Sequence, residues 1–185
     1  MPRPSAVAVS NRALALYALV RRGAIEYALG EFGPDPQRFA QAERARVETD
    51  RWLERESVAS ALTEAERRLF ESASGAWPPE AVADAMWRKE SLGVLLWALQ
   101  HLADLPPYGE EADQQDLDHA ITRYGAVSAF RAEGALRAGN EIEQAWLEAD
   151  AWFGATEGED ATVASIAAER FRALSWLRDD GAGPP

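Results

Sequence analysis

Apolar residues recur every three or four positions along most of this chain, and nowhere do they alternate strictly with polar ones. The first spacing lines one face of an α-helix, whereas strict alternation would line one face of a strand. No run of β-branched and aromatic residues bounded by turn residues reads as a strand. The pattern therefore predicts an all-α protein, a single-domain helical bundle of about six to eight helices. The 185 residues suffice for one domain with a core, because chains of this size bury about 70% of the surface they expose when unfolded. The expected layout is a flexible N-terminus over 1–10, one helical domain over 11–178 and a disordered tail over 179–185.

The helices can be placed one by one. A first helix is expected over 11–29, with Leu14, Ala18, Arg21, Ile25 and Leu29 on one stripe and Leu16, Val20, Gly23 and Tyr27 on another, ended by Gly30 and Gly33-Pro34. Apolar residues on two faces place it near the centre of the bundle. Asp35-Pro36 suits the start of a second, outer helix reaching Glu56, anchored by Phe39, Trp52 and Leu53. Thr63 and Glu66 form a capping-box pattern, opening a short helix that stops near Gly75. The strongest periodicity runs over 80–103, where Val82, Met86, Leu92, Leu96 and Leu99 share one face and Trp87, Glu90, Val94, Trp97 and His101 share another. Weaker helices follow over 113–124 and 127–136, then one beginning at an Asn140/Glu143 cap, a polar loop over 155–159 and a last helix over 161–178.

Composition excludes several functions. The chain has no cysteine, so disulfides, thiolate metal sites and thiol nucleophiles are ruled out. It carries 31 acidic and 19 basic residues, a net charge of −12. Such a surface repels phosphate backbones and argues against nucleic acid, while it suits a basic protein partner. Lys89 is the one lysine among many arginines, a bias of GC-rich bacterial genomes. No secretory signal is evident, and the longest uncharged run, 91–103, is too short to span a bilayer. A soluble cytoplasmic protein, not associated with membranes, is the expectation.

Three segments together resemble the bacterial domain of unknown function 4272 family. They are Ala18-Leu19-Val20-Arg21-Arg22-Gly23; the stretch from Trp87-Arg88-Lys89-Glu90-Ser91-Leu92-Gly93 to Trp97-Ala98-Leu99 with Leu105-Pro106; and Glu169-Arg170-Phe171-Arg172-Ala173-Leu174-Ser175-Trp176-Leu177. The chain departs from the family's pattern at Ser175, at Asp150-Ala151-Trp152-Phe153 and at Arg178-Asp179-Asp180. The resemblance implies a fold and no reaction.

Glu90 is the sharpest chemical feature, a carboxylate on an aromatic stripe between Trp87, Val94 and Trp97. Burying an unpaired charge is costly, so it must either line a pocket or be paired. Arg21 and Arg170 also fall on apolar stripes and are its candidate partners. One reading is a catalytic or ligand-binding acid in a tryptophan-lined pocket with His101 at its end. The other, better suited to helical bundles, is a buried ion pair holding three helices in register. Asp116, His119 and His101 match no metal-binding spacing, so no metal or cofactor is expected. Nucleophile elbows and phosphate-cradling glycine loops are missing. The seven tryptophans are expected in the core, with Trp77 the most exposed of them. Together these readings favour a non-enzymatic protein-interaction module with an acidic surface over a small-molecule-binding protein or enzyme built around Glu90.

Overall fold

Eight α-helices and one 3-10 turn account for the regular structure of the described residues, with no strand among them. The computed structural model describes residues 3–31, 35–156, 158–179 and 183–185. The helices are α1 (Ala6–Glu31), α2 (Pro36–Arg55), α3 (Glu64–Phe70), α4 (Pro79–Ala98), α5 (Gln114–Thr122), α6 (Val127–Glu133), α7 (Gly139–Ala155) and α8 (Ala161–Arg178). The protein is thus all-α. Its residues group into two compact units, one made of 14–88 and the other of 1–13 with 89–185.

The 14–88 unit holds most of α1, all of α2 and α3, and the start of α4. Every residue of α1 from Arg12 to Val20 is buried, the all-round burial that two apolar faces demand. At Gly23 α1 comes so close to α4 that a Cβ would lie 2.9 Å from the Ala85 Cβ. Gly23→Ala should therefore destabilise the protein by up to about 2 kcal/mol in urea denaturation. Overpacking of about 1–3 kcal/mol outweighs the roughly 1 kcal/mol that alanine gains in helix propensity. A stabilised variant would mean the two helices have room to part. α2 is capped by Asp35, whose carboxylate accepts from the amides of Gln37 and Arg38. Leu53 is buried and Trp52 packs edge-on against Tyr17, but Phe39, expected as an anchor, is 38% exposed.

The capping box before α3 is present: the Glu66 amide donates to Thr63 Oγ1 at 3.3 Å and the Thr63 amide to Glu66 Oε2 at 2.8 Å. Thr63→Ala should cost about 1 kcal/mol, read in the same denaturation experiment. An unchanged midpoint would show that Glu66 alone secures the turn. α3 stops at Phe70, short of Gly75. Trp77 is a correction: it is buried, and its indole Nε1 donates to the Leu69 carbonyl at 2.7 Å. The hydrogen bond lets the ring fold inward against Phe70.

In the second unit the later half of α4 is central, with every residue from Glu90 to Leu99 buried. α4 ends at Ala98, earlier than its periodicity predicts. Gln100 takes a left-handed φ of 63°, and the amides of His101 and Leu102 turn back to the Leu96 carbonyl. The segment at 135–137 crosses this end and bonds its carbonyls. The Arg137 amide bonds Ala98, Arg137 Nε bonds Trp97, and Arg137 Nη2 bonds Leu102 and Ala103. Tertiary hydrogen bonding replaces the last helical turn. α7 begins two residues earlier than an Asn140 cap would place it, with Ala138 at the cap. Glu141, not Glu143, reaches back to the Ala138 amide at 3.1 Å.

The ends of the chain differ from the expected layout. α1 starts at Ala6, and Val9 and Ser10 are wholly buried within the stretch read as flexible. Gly30 lies inside α1, while Gly33-Pro34 falls outside the described residues. Of the tail, 180–182 also lies outside them, and Pro185 is buried, its carbonyl accepting from Arg12 Nε at 2.7 Å. No helix is long and apolar enough to cross a membrane.

Candidate functional site

Glu90 and Arg170 meet at the middle of the second unit. Both side chains are 0% exposed. Arg170 Nε and Nη2 donate to Glu90 Oε2 at 3.0 and 2.8 Å. Arg170 Nη1 donates to the carbonyls of Pro106 and Pro107, both at 2.8 Å, and Nη2 to that of Glu110 at 2.6 Å. The other carboxylate oxygen, Glu90 Oε1, accepts from the Ala112 amide at 2.9 Å. An acid on α4 and a base on α8 thus fasten the loop between α4 and α5 from both sides. Gly93 packs beneath the same loop, 3.1 Å from Pro106 if it carried a Cβ. Each nitrogen of the guanidinium and each oxygen of the carboxylate is engaged within the protein. The pair has its hydrogen-bonding capacity spent on structure.

The other residues grouped with Glu90 on the sequence lie elsewhere. Arg21 is exposed, in the 14–88 unit, and donates to Tyr17 Oη at 3.1 Å on its own helix. Trp87 is half-buried in that unit as well. Trp97 is buried beneath Arg137, whose Cζ stands 4.9 Å from the ring centroid. His101 turns toward α5 and α6.

Of the adjacent arginines of α1 it is Arg22 that is buried, one position on from the one the stripe selected. Its Nε donates to Glu26 Oε1 at 2.9 Å and its Nη1 to Asp50 Oδ1 at 3.1 Å. Asp50 Oδ2 accepts from Arg46 Nη1 at 2.7 Å, and Arg46 grips Glu43 with contacts of 2.6–3.0 Å. Phe70 and Trp77 lie on the Arg22 guanidinium, with centroids at 5.6 and 5.4 Å. Burial pushes the Asp50 carboxyl above the usual carboxylate range, against the pull of Arg22 and Arg46. The hydrogen bond from Arg46 holds Glu43 below that range. Sequence could have flagged this network, because Arg22 and Glu26 stand at i and i+4 within an apolar helix.

His101 belongs to a third cluster, in the second unit. Its Nδ1 lies 2.7 Å from Tyr124 Oη, and its ring tilts over Phe130 with centroids 4.3 Å apart. Arg123 Nη2 donates to Tyr124 Oη at 2.9 Å and to the His101 carbonyl at 3.1 Å. Ser10 Oγ and His101 Nε2 converge on Gly134, where a Cβ would sit 2.9 Å from the hydroxyl and 3.5 Å from the imidazole. Burial, then the charge of Arg123, push the imidazole down from 6.5 to about 4. The folded protein therefore holds His101 neutral where the unfolded chain would bind a proton. Its contribution to stability is complete above pH 6.5 and is lost as pH falls from 6.5 to 4, at most about 3 kcal/mol. Unfolding free energies between about pH 7 and 4 should show this loss, and His101→Asn should flatten it. An unchanged slope in the variant would assign it to carboxylates.

Among the described residues no group of three histidine, aspartate or glutamate side chains is placed to hold a metal ion. His119 is exposed on α5.

Residues 3–182 match the model of a family described as Domain of unknown function (DUF4272). No curated protein and no solved structure shows a significant match.

Proposed function

We propose that this chain, which belongs to the domain of unknown function 4272 family, is a non-enzymatic cytoplasmic module that binds a basic protein through an acidic surface. One observation carries the reading. The buried carboxylates among the described residues are Glu26, Glu66, Glu90 and Glu169, and each is bonded inside the protein. The other described acids of a chain with net charge −12 are at least partly open to solvent. Examples are Glu110, Glu111, Asp113 and Asp116 around the start of α5, and Glu141, Glu148 and Asp150 on α7. Excess acid on the outside steers a positively charged partner and speeds its encounter.

The competing reading places a ligand at Glu90. It is disfavoured because a ligand there would have to displace Arg170 or the loop it fastens. Affinity capture on the purified chain from native lysate, followed by reconstitution with the recovered protein, decides between the two. The expected result is one stoichiometric basic protein whose affinity falls with added salt. Recovery of none, together with a rise in Tm on adding a small metabolite, would overturn the proposal.

A further inference from the structure

Four residues of α7 alternate acid and aromatic ring along one stripe: Glu143, Trp146, Asp150 and Phe153, at spacings of three, four and three. α8 lies against α7 and brings Phe171, Ser175 and Arg178 alongside. The first half of the stripe is occupied by the protein itself. Arg178 Nε pairs with Glu143 at 3.0 Å, and its Cζ stands 3.8 Å from the Trp146 ring centroid. The indole is fixed by donating to Ser175 Oγ at 3.0 Å. The second half repeats the chemistry. Asp150 is exposed, and Phe153 is 41% exposed while stacked on Phe171 at 5.2 Å and 5° between planes. Among the described residues no cation pairs with Asp150.

We propose that the Asp150–Phe153 half receives an arginine from the basic partner, with its guanidinium paired to Asp150 and laid against the Phe153 ring. The inference rests on the proposed binding of a basic protein and names where and how that protein is gripped. Arg178 is the template, since it shows on the same helix face how an acid and a ring one turn apart hold a guanidinium. Arginine fits better than lysine, because its planar and weakly hydrated head stacks on a ring while its fork meets a carboxylate. The excess of acid over base in the chain supplies the long-range attraction, and the half-stripe supplies the selectivity.

The test is a titration of the intact protein with a capped alanine dodecapeptide bearing three arginines, and with its lysine counterpart. Binding is followed by amide chemical shifts at low and at physiological salt. The arginine peptide is expected to shift the amides around Asp150 and Phe153. Its Kd should rise about five- to tenfold in Asp150→Asn and in Phe153→Ala, and by a similar factor when lysine replaces arginine. Asp150 is exposed, so Asp150→Asn keeps its fold, which circular dichroism verifies. Equal affinity in Asp150→Asn and the native chain would overturn this site while leaving the acidic-surface reading intact. No binding of either peptide at low salt would overturn both. Self-association of the native chain that Asp150→Asn abolishes would make the occupant a second copy and would also overturn the proposal.

Discussion

Arg170→Met should lower the unfolding free energy by about 3–5 kcal/mol, because it leaves the carboxylate of Glu90 buried with no counter-charge. For a chain of this length each kcal/mol moves Tm by about 2–4 °C, so the fall is on the order of 10 °C. Two losses contribute. One is the uncompensated charge of Glu90, which keeps only the Ala112 amide. The other is the release of the Pro106, Pro107 and Glu110 carbonyls, which belong to partly or fully exposed residues of a loop that can relax to let them bind water. The first should dominate. The double variant Glu90→Gln with Arg170→Met keeps an acceptor for the Ala112 amide and removes both charges, and it should recover more than half of the loss. Urea denaturation of the two variants measures this. If the double variant is as unstable as the single one, releasing the loop carbonyls costs more than stranding the Glu90 charge, and the pair serves chiefly to fasten the loop. The exchange rate of the Ala112 amide should rise strongly in the single variant and much less in the double.

The same pair shows what could be read in the sequence. Glu90 stood out because it shares a helical stripe with Trp87, Val94 and Trp97, where a carboxylate is anomalous, and the structure buries it along with every residue on to Leu99. Arg170 stood out because it falls on the apolar stripe of α8 with Val163, Ile166, Leu174 and Leu177. The α8 boundaries were also legible, because a polar loop precedes the helix and its apolar periodicity runs on to Leu177; the structure adds Asp160 as the cap. Three features were not legible, each decided by tertiary contacts. The end of α4 depends on Arg137, nearly forty residues on, supplying hydrogen bonds to its carbonyls. The burial of Trp77 depends on the Leu69 carbonyl at the end of α3, which accepts from the indole as well as from the Ser72 amide. The third is the choice between adjacent arginines on α1. A stripe drawn through Leu14, Ala18 and Leu29 passes over Arg21, yet α1 is so evenly apolar that several stripes fit equally well. Charge pairing within the helix was the better guide, because Glu26 follows Arg22 and not Arg21 by four residues.

That distinction between neighbours gives the second large effect. Arg22→Met is expected to cost about 3–5 kcal/mol and Arg21→Met less than about 0.5 kcal/mol. Arg21 gives up one hydrogen bond to Tyr17 at an exposed position. Arg22, with its side chain 0% exposed, leaves two acids behind. Glu26 is 1% exposed and loses the guanidinium it pairs with, while Asp50, at 30%, keeps Arg46 and can recruit water. The cost should therefore come chiefly from Glu26. Adding Glu26→Gln to Arg22→Met removes that charge, and the methionine side chain fills the space between Phe70 and Trp77 with a thioether that rings accept well. The double variant should regain most of the stability, and Trp77 emission should stay that of a buried indole. If Arg21→Met proves as damaging as Arg22→Met, then α1 turns a different face inward, and the ion-pair chain from Glu26 through Asp50 to Glu43 cannot stand.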